Sequence, residues 1–259
     1  MSASLSLQIG ALAGRAVARS LRQPASIVPA LVFPLIFLPL ITGGLGPVTK
    51  LPGFPTDSYL DFFLGFLFLQ GAIFAMLISG QDLARDIQTG FLNRLSLTPM
   101  RGVSLIAGHL TGSAALGVLQ SVLYLLVGLA AGVTLASGAG GALVLLSLAL
   151  LIIVGFAAIG TALALRVGNG EAVQGMFPLF FVLLFLSSMS LPRNLIETDW
   201  YREVATYNPV SYMIEGLRSL IITGWDAQAL ALGFACASVI LVLGLGASAL
   251  ALRGRLERT

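Results

Sequence analysis

The residues with chemistry to offer gather in a few short stretches of this 259-residue sequence. The densest is 82–101, DLARDIQTGFLNRLSLTPMR, where Asp82, Asp86, Arg85, Arg94 and Arg101 surround Ile87, Phe91, Leu92 and Leu95. Apolar residues recurring at helical spacing predict a short amphipathic helix. It must end near Thr98-Pro99, because proline disfavours helical geometry in the residue before it. A helix this short cannot cross a bilayer. It can offer an apolar ridge with a charged rim to a groove in a soluble partner, or lie among lipid headgroups as a connector.

Reaction chemistry is missing. The sequence has one cysteine (Cys236) and one histidine (His109), which excludes a disulfide framework, a cysteine-based zinc cluster and a multi-histidine metal site. It contains no H-E-x-x-H and no G-x-x-x-x-G-K-[ST], so no loop of the second kind cradles a nucleotide phosphate. Ser187, Ser188 and Ser190 have no histidine near them in sequence, and His109 is expected at the opposite membrane face. This chain is not expected to be an enzyme, nor to carry a cofactor or metal of its own.

The elements that position these residues follow from composition. Hydrophobic residues make up 57% of the chain and charged ones 10%, with a mean hydropathy of +0.97. Soluble domains carry about 25% charged residues, so an ordinary globule and a disordered tail are both excluded. A net charge of +3 is too small to imply nucleic acid. Six stretches are long and apolar enough for a bilayer core of roughly 30 Å: about 25–45, 58–80, 103–133, 141–165, 172–192 and 228–252. Pro24, Pro29, Pro34 and Pro39 recur in the first, which implies a kinked helix whose freed carbonyls are satisfied by neighbours. A cleaved signal peptide would also place cations before an apolar run, but no convincing small-x-small cleavage site precedes Thr42. Gly112, Gly117, Gly128 and Gly132 in the third span offer close helix contacts.

Lysines and arginines set the orientation. Ten cations and four acids fall on one set of connecting segments, four cations and seven acids on the other. Both termini are therefore expected in the cytoplasm, which an even number of crossings satisfies. The middles of all six spans lack Asp, Glu, Lys, Arg and His. Ion-coupled carriers commonly keep an ionisable residue there, so energy for transport is expected from another polypeptide, with an ion-coupled secondary transporter as the rival of another class. Gln70 is the one strongly polar side chain mid-way along the second span, read as helix glue ahead of cargo contact.

Two further segments do not span. Within residues 1–24, Gln8, Arg15, Arg19 and Arg22 form a polar stripe opposite Leu5, Ile9, Leu12 and Ala16. That pattern fits an interfacial helix snorkelling its arginines toward membrane lipid, or a flank that only sets topology. Residues 193–227 contain Asn208-Pro209, a good helix start, after which Ser211, Glu215 and Arg218 share a face. Glu215 and Arg218 are spaced to pair on the helix or to contact a second protomer. A preceding short helix over 198–206 makes this a helix–break–helix hairpin dipping into the outer leaflet, with both tryptophans in it.

Residues 85–101 resemble the coupling segment of ABC type-2 exporter permeases through Arg85, Asp86, Gly90, Leu92, Arg94, Leu95, Thr98 and Pro99, with Phe91 and Asn93 where threonine and glutamate are commoner. Residues 208–224 resemble the family's N-P-x-x-Y…R…G segment through Asn208, Pro209, Tyr212, Arg218 and Gly224. The resemblance, nearest to the daunorubicin-resistance type, implies a single permease domain over 1–259 that pairs with a second permease protomer and two ABC ATP-binding subunits. ATP and magnesium would sit on those subunits. The fold implied is all-α and integral to the inner (plasma) membrane: six transmembrane helices, the N-terminal interfacial helix, a cytoplasmic coupling helix and an outer re-entrant hairpin. Residues 83–97 and the N-terminal helix would contact the ATPase, the hairpin would shape the exit gate, and the second and fifth spans would form the path. Phe66, Gln70, Phe74, Phe177, Phe181 and Phe185 mark that path and suit a hydrophobic or amphipathic molecule, drug or lipid-like, better than the alternative cargo of polysaccharide or teichoic acid.

Overall fold

The computed structural model describes residues 10–15, 17–18, 24–96 and 102–256, and among them there are helices and turns but no strands. After helical residues at 10–15 and 17–18 come α1 (Pro24–Leu45), a 3-10 turn (Gly46–Lys50), α2 (Tyr59–Gln88), α3 (Phe91–Ser96) and α4 (Gly102–Ala130). Then follow α5 (Gly138–Val167), α6 (Gly170–Gly175), α7 (Phe177–Phe185), a second 3-10 turn (Arg193–Leu195), α8 (Asp199–Tyr207), α9 (Pro209–Ile222) and α10 (Ala227–Leu256). Five helices are long and apolar enough to cross a membrane: Val28–Lys50, Tyr59–Gln88, Gly102–Ala130, Gly138–Val167 and Ala227–Arg255.

The stretch at 172–192, expected as one continuous span, is instead broken. Pro178 has no N–H to return to Gln174, and the chain turns at Met176 between the six residues of α6 and the nine of α7. Helix is lost again after Phe185, where three serines precede Pro192. The broken stretch nonetheless follows α2 lengthwise. At one end Val173 packs on Gly80; at the other Tyr59 donates from its hydroxyl to the Ser190 carbonyl at 3.0 Å.

Helix α2 is the axis of the bundle, with α1, α4, α5, α6, α7 and α9 packed around it. In its most apolar stretch 83% of residues are buried inside the protomer, against 17% in the first and last spans. Glycines make the closest approach possible. A Cβ on Gly160 of α5 would sit 2.0 Å from the Met76 carbonyl oxygen of α2, and one on Gly80 would sit 3.0 Å from the Gly160 oxygen. In α4 the expected glycine contacts hold for Gly117 against Ile153 and Gly128 against Leu64. Gly132 does not pack: it lies beyond α4 at φ 101, with nothing near its Cβ direction, and turns the chain toward α5.

The expected repair of the prolines in α1 is seen at one of them. The helix runs unbroken through Pro29, Pro34 and Pro39. Pro34 leaves the carbonyl four residues earlier, Ala30, without its helical donor. The Tyr124 hydroxyl of α4 donates to that oxygen at 2.8 Å, and Gln120 donates to Tyr124 at 2.9 Å. A polar pair inside one span thereby repairs a neighbour's backbone.

Candidate functional site

At the end of α2, Thr89 closes the helix through its N–H to the Arg85 carbonyl, and Gly90 at φ 70 supplies the left-handed turn into α3. Asp86 on the last turn is buried, and Arg15 reaches it from the N-terminal helix with two parallel hydrogen bonds of 3.0 and 3.2 Å. The same guanidinium lies 3.6 Å from the centre of the Phe91 ring. One arginine thus binds the N-terminal helix to both α2 and α3. Its placement corrects the expectation of a side chain turned out toward lipid headgroups: the buried carboxylate opposite it is the stronger partner.

Leu92 requires a second correction. It is buried in the main core rather than presented on a ridge, because a six-residue helix with few apolar side chains needs them to hold itself against α2. Among the described side chains from Arg85 to Arg94, the exposed ones are polar: Arg85, Gln88, Thr89 and Arg94. Leu95 lies in α3. Thr98, Pro99, Arg19 and Arg22 lie outside the described residues. Nearby, the lone histidine joins α4 to α2. His109 Nε2 sits 3.0 Å from both the hydroxyl and the carbonyl of Ser79, and the Ser79 hydroxyl meets Ala157 and Thr161 of α5.

The far end of the bundle is built around the chain that unwinds after Phe185. Carbonyls freed there need donors, and four side chains supply them. Asn208 donates to Leu183 and Leu186 at 2.7 and 3.0 Å, while its own oxygen caps α9 by accepting from the Val210 N–H. Tyr201 of α8 donates to Phe185 at 2.9 Å and Ser187 at 3.2 Å. Arg218 of α9, 6% exposed, donates to Ser188, Met189 and the Phe62 carbonyl of α2 at 3.1, 3.3 and 3.0 Å. Its guanidinium also lies 3.4 Å over the Phe62 ring. Tyr59 covers Ser190.

Glu215 and Arg218 do not pair with each other, which corrects the spacing argument. Glu215 instead accepts from Ser188 at 2.9 Å and from Arg193, whose Nε lies 2.8 Å away and whose Nη2 makes a second bond. Arg193 also lies 4.5 Å from the centre of the Tyr212 ring. Burial would lower the pKa of Arg193, but the hydrogen bond and charge of Glu215 outweigh it and leave it raised. Sequence reasoning saw Arg193 only as one more outer cation. The available signal was Glu215 on a mostly apolar helix, which has to find a cation somewhere. Pro209 starts α9 in the first-turn position expected of it.

The aromatic path divides. Phe66 and Gln70 are buried inside the protomer, because α2 is enclosed on all sides and offers no open face at their level. Both amide atoms of Gln70 lack a hydrogen-bond partner among the described residues. Phe74, Phe177, Phe181 and Phe185 do form a continuous ladder, with centroids 5.9, 5.0 and 5.0 Å apart, and Phe33 of α1 joins it at 5.7 Å from Phe74. Exposed Phe185 ends the ladder.

The model of the ABC-2 type transporter family matches residues 7–222. A protein named as transport permease ycf38 of Porphyra purpurea is 27% identical over 222 residues, covering 85% of this chain and 76% of that one. A protein of Mycobacterium tuberculosis, named as a doxorubicin resistance ABC transporter permease, is 24% identical over 210 residues, 81% of this chain and 75% of its own. The daunorubicin resistance ABC transporter permease of Streptomyces coeruleorubidus is 26% identical over 201 residues, 76% and 69% of the two chains.

Proposed function

This chain belongs to the ABC-2 type transporter family, and from that premise we propose that it is the multi-pass permease subunit of an exporter driven by a separate ATP-binding subunit. ATP and magnesium belong to that subunit. The inner end of the bundle is where it docks, on exposed Arg85, Gln88 and Arg94, with the N-terminal helix as a second contact. The carrying observation is the Arg15–Asp86–Phe91 junction, which makes α3, α2 and the N-terminal helix one mechanical unit. A push on α3 then reaches the central helix of the bundle.

The membrane path counts six crossings: the five long helices and the broken stretch 170–190, whose ends lie at opposite ends of α2. Both termini then face the cytoplasm of an inner (plasma) membrane, and α8–α9 form an outer hairpin dipping into the leaflet. Two permease protomers and two ATP-binding subunits make the transporter. The ladder from Phe33 to Phe185 suits a hydrophobic or amphipathic cargo, in keeping with relatives named for doxorubicin and daunorubicin resistance.

Efflux of a fluorescent anthracycline from cells expressing the permease with its ATP-binding subunit tests this reading. Efflux is expected to stop on ATP depletion and to continue when the ion gradient is collapsed. The opposite pattern assigns transport to an ion-coupled carrier and overturns the proposal.

A further inference from the structure

One strip of α2 is aromatic. Tyr59, Phe63, Phe66 and Phe74 recur at helical spacing and share a face. Neighbouring rings meet along it, Tyr59 and Phe63 with centroids 6.1 Å apart and Phe63 and Phe66 at 4.6 Å. Gln70, one turn after Phe66 and one turn before Phe74, interrupts the run with an amide. The broken stretch touches this strip at both ends: Tyr59 holds the Ser190 carbonyl at 3.0 Å, and Phe74 meets Phe177 at 5.9 Å. Between those contacts α7 lies over Gln70 as a cover one helix thick. Leu184 alone among its residues is buried, while Leu179, Val182, Leu183 and Phe185 are open on its outer side.

Gln70 is fully buried, and neither its oxygen nor its nitrogen has a hydrogen-bond partner among the described residues. That argues against a role as helix glue, which needs a partner on a second helix. A second protomer does not reach the amide either, because it lies beneath the side chains of its own chain. Stranding both halves of an amide in an apolar interior is costly, and leucine would fill the position without that cost. A bound molecule would relieve it. The amide offers one acceptor and one two-hydrogen donor, flanked by rings that take flat aromatic faces. Neither α2 from Phe62 to Gln81 nor α7 carries a charged residue, so the place suits an uncharged ring system. A nine-residue helix bounded by breaks is displaced as a piece, with the Asn208 and Tyr201 side chains that hold its end, and no full span has to unwind.

We propose that Gln70 is a specificity-determining residue of the transport path, reading a carbonyl or hydroxyl on an uncharged planar aromatic cargo that slides between α2 and α7. Phe66, Phe74, Phe177 and Phe181 wall the slot, and the amide forms its floor. The proposal rests on the exporter reading for its cargo, whereas the binding it requires needs no ATP-binding subunit.

Scintillation proximity binding of tritiated anthraquinone and tritiated anthracene to the purified permease in detergent provides the test. The two probes share a ring shape and differ in the carbonyls. Gln70→Leu should raise the half-saturating concentration of anthraquinone about tenfold, the worth of a hydrogen bond to an amide otherwise stranded. It should leave that of anthracene unchanged and melt no lower than the wild type. Gln70→Met, unbranched like glutamine, repeats the comparison if leucine disturbs the packing. Phe181→Ala should weaken both probes alike. Failure of the wild type to bind either probe, or the same response of both probes to the Gln70 variants, overturns the site. So does a Gln70 variant that melts lower and binds both probes as the wild type does, since the amide would then be tying the bundle. Amide-dependent binding in a permease whose efflux follows the ion gradient keeps the site and removes the exporter reading; ATP-driven efflux with amide-independent binding does the reverse.

Discussion

Replacing Arg218 by methionine preserves most of the side chain's length and removes every donor it brings to the unwound segment. Three acceptors lose their partner, the carbonyls of Phe62, Ser188 and Met189. Each buried acceptor left unsatisfied costs about 1–3 kcal/mol. Against this, the variant no longer has to strip water from a guanidinium, a penalty of several kcal/mol for a buried ion. The cation–π contact with Phe62 adds to the loss by about 1–2 kcal/mol. A net destabilisation of about 3 kcal/mol follows, which at roughly 2–4 °C per kcal/mol for a chain of this size lowers the unfolding midpoint by about 6–12 °C. Arg218→Lys keeps the charge but cannot serve carbonyls on two elements at once, and should fall between the two. Thermal unfolding in detergent micelles, followed by the fluorescence of Trp200 and Trp225, reads the shift. A methionine variant that melts with the wild type would refute the view that side-chain donors hold this segment.

Other perturbations separate the remaining contacts. Asp86→Ala should loosen the N-terminal helix at a cost of about 1–2 kcal/mol, seen as faster proteolysis before Pro24, since the carboxylate is buried though Arg15 is partly exposed. Gly160→Leu should prevent stable expression by forcing α5 off the Met76 carbonyl; normal yield and melting would show that the helices can part there. Leu92→Asp should destabilise the permease itself, whereas Arg94→Glu should leave its melting unchanged and lower ATPase stimulation by the complex. If the two variants behave alike in the melting assay, the split between a packed and an exposed side of α3 is wrong.

The membrane class of the chain and the approximate place of each long helix were legible because twenty apolar residues in a row have few other uses. The repair of the Pro34 gap was legible in kind, since a missing N–H always strands a known carbonyl, but not in its donor: nothing in the sequence pairs Tyr124 with Ala30. Periodicity misjudged Leu92, because a face that is apolar at helical spacing says that something will cover it and not what. It misjudged Glu215 and Arg218 for a related reason. Spacing along one helix is a local argument, and both side chains found better partners on segments brought in by the fold, Arg193 for one and backbone carbonyls for the other. The break in the fifth apolar stretch was readable from Gly175, Pro178 and the three serines, but total hydropathy outweighed them.

Residues 183–190 lean for their hydrogen bonds on Asn208, Tyr201, Arg218 and Tyr59, which sit on α8, on α9 and its cap, and on the first turn of α2. A cord stitched to three beams cannot be drawn through them; it travels with whichever beam moves. Any widening at that end must therefore shift α8, α9 and the cord together, or tear several stitches at once.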